Sequence, residues 1–316
     1  MKESLGFKLT GLLFGALFAC SACLGQDLTP RAYVITPVHS NAIVVTNSFF
    51  DGSLMFNGAV PITDATARLN APILSFYHSF RLFGRSANIT GSLPYGVGHF
   101  KGTVIGSETT VYRSGMFDSG FRFAVNLKGG PAMEVTEFRK YQQKTVLGAS
   151  LRVQVPTGQY DPQRLINLGS NRWAFKPEFG YSRRVGHWIF DAFGGVWLYT
   201  RNPEFFSRNA YVPIVQVQTQ KPIAALEGHL SYDVKPRLWV SLDANFWRGG
   251  QTSLNGVENQ TSLQRNSRIG VTGSVPLTLH QSFKVSYSKG TYIKYGGDFH
   301  NLSVAWQYSW IGRPRL

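Results

Sequence analysis

Cysteine is almost missing from this chain. Cys20 and Cys23 are the only two, both near the N-terminus, so no disulfide can staple the body of the protein. A chain without thiols has nothing to mispair while it crosses an oxidising compartment unfolded. Long apolar runs are missing too: past the N-terminal segment, none reaches the ~18 residues that a membrane helix needs. Charge is scarce at 16%, and it is lopsided, with 32 Lys and Arg against 17 Asp and Glu and a formal net charge of +15. The basic residues form no Arg/Lys-rich helix or tail, which argues against nucleic acid as a partner. The seven histidines are scattered, with no pair at metal-ligand spacing on a helix. Gly96-Val-Gly98-His-Phe-Lys-Gly102 has the wrong spacing for a dinucleotide fingerprint and no helix after it. The sequence therefore calls for no metal and no cofactor.

What the chain does have is 14% aromatic residues and 33 glycines, a composition that suits an all-β fold with many turns. At the N-terminus, Lys2 and Lys8 precede a short apolar run, Gly11 to Ala19, and then the small residues Ser21, Ala22 and Gly25. This pattern predicts a signal peptide over 1–25, cleaved after Ala22 or Gly25. Lipidation of Cys20 or Cys23 is the alternative processing route, with poor neighbours such as Phe18 against it.

The rest reads as about twelve strands with period-two alternation, near 42–51, 71–83, 86–99, 119–127, 145–156, 172–184, 188–200, 220–233, 238–248, 266–275, 281–289 and 299–310. The last is the most telling. Leu302, Val304, Trp306, Tyr308 and Trp310 alternate with Ser303, Ala305, Gln307 and Ser309. One face is apolar and ends in aromatics, and the other is small and polar. A strand of this kind near the C-terminus predicts a transmembrane β-barrel whose last strand closes on the first. A soluble β-sandwich would need a second apolar layer to cover these faces.

The connections agree. Short ones (Gly84-Arg85, Val185 to His187, Val234 to Arg237, Pro276 to His280) alternate with long ones (Gly52 to Asn70, Phe100 to Asp118, Thr157 to Asn171, Arg201 to Thr219, Gly249 to Arg265). Outer-membrane barrels have short periplasmic turns and long extracellular loops. The exception is Lys128 to Lys144, long where a turn is due. Pro131 and Glu134 there predict a short periplasmic helix against the barrel mouth, with a plain long turn as the alternative. The short turns are basic (Arg85, Arg183, Arg184, Lys235, Arg237, then Arg313 and Arg315), which suits anionic headgroups. The expected division is 1–25 signal peptide, 26–41 periplasmic segment, 42–310 barrel and 311–316 tail.

Several motifs carry a family resemblance. They are Pro156-Thr-Gly-Gln-Tyr160-Asp161, Leu165-Ile-Asn-Leu-Gly169-Ser-Asn171-Arg172-Trp173, Trp247-Arg-Gly249-Gly250, Tyr287-Ser-Lys-Gly290 and Gly296-Gly297-Asp298-Phe299. In this order they resemble the bacterial outer-membrane family called "putative MetA-pathway of phenol degradation". The resemblance is strongest from about Thr145 to Trp310. It implies an outer-membrane channel for small molecules, aromatic or hydrophobic ones among them, and it assigns no site residues.

If the apolar face meets lipid, the other face lines the lumen. That places Arg122, Arg152, Lys176, Arg268 and Lys284 there, with Glu178, Asp191, Glu227, Asp243 and His229. The near balance of charge is that of a paired, polar ladder or of a path with selective contacts. Phe205, Phe206 and Tyr211 are extracellular-loop candidates for cargo contact. His229, Asp243 and Ser231 raise the rival of a lipid or ester hydrolase, because the turn at Val234 to Arg237 puts Asp243 opposite His229. Against it, Ser231 and His229 lie side by side about 7 Å apart on one strand, with no nucleophile elbow. A closed structural or adhesive barrel is the other rival. The leading expectation is a passive outer-membrane channel that needs the outer-membrane lipids, the barrel-assembly machinery and a small-molecule cargo, and that performs no catalysis.

Overall fold

Strands with one aliphatic face and one small polar face are satisfied when the sheet closes on itself with the polar face inward, and this chain does that. The computed structural model describes residues 28–55, 62–104, 106–210 and 212–312. The predicted signal peptide, both cysteines, Tyr211, Arg313 and Arg315 lie outside the described residues.

The chain forms β1 (Ser40–Met55), β2 (Ile62–Leu82), β3 (Arg85–Val104), β4 (Ser107–Met116), β5 (Ser119–Lys128) and β6 (Thr145–Val155). Then follow β7 (Ala174–Val185), β8 (Trp188–Tyr199), β9 (Gln218–Gln220), β10 (Ile223–Lys235) and β11 (Leu238–Gly249). The series ends with β12 (Thr252–Leu254), β13 (Val257–Asn259), β14 (Gln264–Pro276), β15 (Gln281–Ile293) and β16 (Gly296–Ile311). β4 and β5 pair in turn with the upper and lower halves of β3, so together they fill one position in the wall. With β9, β12 and β13 set apart in a small sheet of their own, the wall is a closed, antiparallel, 12-strand barrel. Closure is between β1 and β16, with Ala42 opposite Ser309 and Asp51 opposite His300. Closure leaves no free edge at the β1–β16 seam, while β4, which pairs only with β3, keeps one edge outside the ladder.

The wall alternates as a transmembrane barrel should. Along β11, Val240, Leu242 and Phe246 point outward and are exposed, while Ser241, Asp243 and Asn245 point inward and are buried. The short turns use left-handed backbone where they must: Gly84 between β2 and β3 has φ 75°.

Two segments expected as long loops are largely strand. β1 runs on to Met55, β2 begins at Ile62, and β3 and β4 form a hairpin that continues the wall. The reason is a reversal of phase. On β1 the inward residue changes from Ser48 to Phe50 and Leu54, and the outward one from Phe49 to Asp51. Asp51 pairs with Arg68 across the outside at 3.2 Å, and Lys101 pairs with Glu108. Beyond the bilayer a wall facing water on the outside needs polar residues out and apolar residues in, so the alternation inverts.

The Lys128 to Lys144 connection does hold a helix, α1 (Val135–Phe138), but it is a single turn. It starts later than Pro131 suggested. Pro131 instead bridges to Arg85, and Glu134 caps the helix in a capping box with Glu137. Residues 28–39 enter the lumen beside it. Tyr33, Ile35 and Met133 join Ala124, Val146 and Phe193 in one buried cluster, with Phe138 and Tyr141 packed against it.

Candidate functional site

The lumen has two unlike halves. The half walled by β5 to β11 is filled. Cross-strand pairing sets Arg122, Arg152 and Lys176 side by side on three neighbouring strands. Like charges in register need partners, and carboxylates supply them. Lys176 Nζ lies 2.7 Å from both Glu178 and Glu227, and Arg122 is 3.9 Å from Glu178. A second row joins Asp191, His229 and Asp243 across β8, β10 and β11. His229 Nδ1 is 2.8 Å from Asp243, which also accepts hydrogen bonds from Ser241 and Thr272 at 2.7 and 2.6 Å. Arg268, inward on β14, stands opposite Asn245 and is buried.

The inserted N-terminal segment completes this half. The Tyr33 hydroxyl is 3.1 Å from both Ser150 and Glu178, and the Arg122 guanidinium lies over its ring at 4.9 Å. The ring rests where β6 and β7 carry facing glycines. A Cβ on Gly148 or Gly180 would fall 2.2 or 2.0 Å from it. Arg31 donates its backbone N–H to Asp191 at 3.0 Å, pairs with Asp233 at 2.7 Å and stacks over Trp239.

The other half is open. A cavity of about 1220 Å³ runs along β14 to β16 and β1 to β3, past Thr46, Ser48, Ser75, Ser286, Ser303 and Ala305. Arg122, Arg152 and Lys284 reach it from the sides, and it extends from His187 and Arg237 at the short-turn end to Pro94 and Asp118 at the long-loop end. Above it the inward faces turn apolar. Phe50, Leu69, Phe100, Phe117, Tyr295 and Phe299 form a buried cluster with Leu168 of the β6–β7 loop.

That loop is pinned like a lid. Asp118, in the bend between β4 and β5, accepts from the Gly158 and Ser170 amides at 2.9 Å, from the Ser170 hydroxyl and from Gln154 at 3.1 Å. Burial nevertheless pushes its carboxyl above the ordinary value. Asn202 donates to the Tyr160 hydroxyl at 2.9 Å and to the Ser170 carbonyl at 3.2 Å, tying in the β8–β9 loop. Arg172 is buried, lies over the Tyr199 ring at 4.4 Å and is lowered to about 10 by desolvation. Phe205 and Phe206 are in the β8–β9 loop as expected, but they are buried against Val212, Leu254 and Leu165. They are the core of the lid in this state and do not face solvent.

Of the ten lumen candidates, seven fall in the paired network or its margin, Arg122 belongs both to that network and to the cavity wall, and Arg152 and Lys284 line the open half. The hydrolase constellation does not assemble. His229 is opposite Asp243 as the turn length requires, but its Nε2 faces Glu227 at 3.8 Å, and the buried Ser231 hydroxyl has no hydrogen-bond partner. Sequence reasoning missed Tyr33 and Asp118, and it gave no site role to Tyr160 and Asn202. For Tyr33 the usable signal was the pair of glycines, Gly148 and Gly180, that face each other on adjacent inward positions.

Known structures share this architecture. The crystal structure of the COG4313 outer membrane channel from Pseudomonas putida F1 matches at TM-score 0.72 and 19% identity, covering 90% of this chain and 100% of that one. The β domain of the Bordetella autotransporter BrkA matches at TM-score 0.51 and 13% identity, over 86% of this chain and 100% of that one. The transport unit of the autotransporter AIDA-I from Escherichia coli matches at TM-score 0.51 and 12% identity, over 92% and 95%. No curated protein sequence matches this chain. These likenesses are of fold. The model of the family described as "putative MetA-pathway of phenol degradation" matches residues 38–295, and the chain belongs to that family.

Proposed function

We propose that the chain is an outer-membrane channel that lets small molecules, aromatic or otherwise hydrophobic ones above all, cross passively. In this reading the short turns face the periplasm and the lid faces outward, and no residue performs catalysis. The observation that carries it is the sequence of environments along the lumen: a buried aromatic collar under the lid, then the open cavity with its small polar wall. Burying a benzene-sized ring in such a collar is worth about 1.5–3 kcal/mol, whereas a sugar there would leave hydroxyls unpaired. Arg122 and Arg152 on the cavity wall would favour a cargo with an anionic or polar end. The COG4313 protein is named an outer membrane channel, which supports the same reading.

The test is uptake of labelled phenol, benzoate and arabinose by cells with and without this chain. Uptake of the aromatic compounds should rise with the chain by several-fold and arabinose uptake should not. A larger rise for arabinose, or no rise for any of them, would overturn the reading.

A further inference from the structure

On the lipid-facing side of the barrel, two arginines stand directly opposite each other. Arg248 on β11 and Arg265 on β14 are cross-strand partners. Both point outward and are exposed. Their side chains take part in no ion pair or hydrogen bond among the described residues. Like charges in register destabilise a sheet, so a pair kept without a counter-ion needs one from outside the chain. Glu258, in the adjoining β12–β13 hairpin, is not available, because Lys221 holds it at 2.7 Å.

Their height identifies the supplier. Arg248 lies ten residues along β11 from Leu238. At about 3.3 Å per residue and a strand tilt near 40°, that is about 25 Å above the short turns, the height of an outer-membrane apolar band. The side chains mark the same level independently. Below Arg248 the outward face is Phe246, Leu242 and Val240, while beside it Trp247 points inward into a buried cluster. This is where the alternation reverses. Tyr292, outward and exposed opposite Ser267, adds an interfacial ring next to the pair. Lys289, exposed on β15 opposite Ile269, adds a third cation lower on the same wall.

We infer that Arg248 and Arg265 form a docking site for the phosphate of a phosphorylated glycolipid in the outer leaflet, with Lys289 as an auxiliary cation. Two adjacent guanidinium groups, each a planar fork of N–H donors, can together engage several oxygens of one tetrahedral phosphate, and the exposed aliphatic strip below suits its acyl chains. The inference rests on the membrane orientation proposed above, but it needs no particular cargo.

The test uses the full-length barrel purified in detergent. Native mass spectrometry would compare four probes: bisphosphorylated lipid A, its dephosphorylated form, phosphatidylglycerol and inorganic phosphate. Wild-type protein should retain bisphosphorylated lipid A at least tenfold better than the other three. R248Q/R265Q should lose that preference and R248K/R265K should keep part of it, with heat-modifiable migration reporting folding throughout. If the double Gln variant fails to fold, R265Q alone gives the comparison. Undiminished retention by the Gln variant, or equal binding of any other probe, would overturn the site. Orientation is checked separately by labelling Glu108→Cys on whole cells with an impermeant maleimide. Labelling with no lipid A preference sinks the site alone, and no labelling sinks the orientation.

Discussion

Lys176 shows how much a single lumen residue carries. Its ammonium is buried and touches two carboxylates, Glu178 and Glu227, at 2.7 Å each. Removing one member of a buried ion network leaves the others uncompensated, at a cost of about 3–5 kcal/mol. Glu178 would keep the Tyr33 hydroxyl at 3.1 Å, so the loss for Lys176→Met should fall near the low end, about 3 kcal/mol. Glu227 would keep His229 Nε2 at 3.8 Å and the charge of Arg152 nearby. The double variant K176M/E227L should therefore cost less than the sum of its parts. Urea unfolding of the barrel in vesicles measures both. A loss under about 1 kcal/mol for K176M would mean that water in the lumen, not pairing, carries these charges.

At the scale of elements, legibility followed periodicity. The β10–β11 and β1–β16 pairings were readable because turn length and alternation set the register, and His229 opposite Asp243 is the result. The extended walls of β1 to β4 were misread as loops because the alternation inverts above the bilayer, and inverted alternation with Gly and Thr looks irregular. The lid was unreadable for another reason. Its contacts, Asp118 to Ser170 and Asn202 to Tyr160, join residues far apart in sequence and have no period. The motif residues that carry the family resemblance prove to be its fasteners: Gly158 packs so closely on Gly169 that a Cβ would fall 2.5 Å from its Cα. Asp118 also makes the lid sensitive to pH. Its folded-state pKa is raised, so its contribution to the closed state is greatest below the ordinary value of 3.8 and is lost as pH rises through the folded value. Protection factors of the Gly158 and Ser170 amides should fall across that window and stay flat in Asp118→Asn. A rise with pH in the wild type would reverse the sign of the argument.

For the whole molecule, the decisive separation is between the wall and what lies inside it. β1 begins at Ser40 and pairs fully with β16, so residues 28–37 contribute nothing to closure of the sheet. They contribute filling and charge. Tyr33 occupies the space between Gly148 and Gly180, and Arg31 holds Asp191 and Asp233. Removing 28–37 should therefore leave the barrel intact, with unchanged heat-modifiable migration, because the wall keeps every ladder hydrogen bond. The lumen should widen where Tyr33 was, and single-channel conductance should rise several-fold. Selectivity should change with it. The cation at Arg31 is lost while Asp191 and Asp233 remain, and Arg184 can answer only Asp233. An added negative charge in a narrow pore favours cations. The reversal potential in a KCl gradient should move toward the potassium potential by a measurable step. Gly180→Ala, which cannot accommodate the Tyr33 ring, should shift conductance the same way without removing Arg31, and should leave selectivity closer to the parent. If the truncated protein conducts as the parent does, the segment does not govern the path, and the open half beside β14 to β16 and β1 to β3 carries all of the flux.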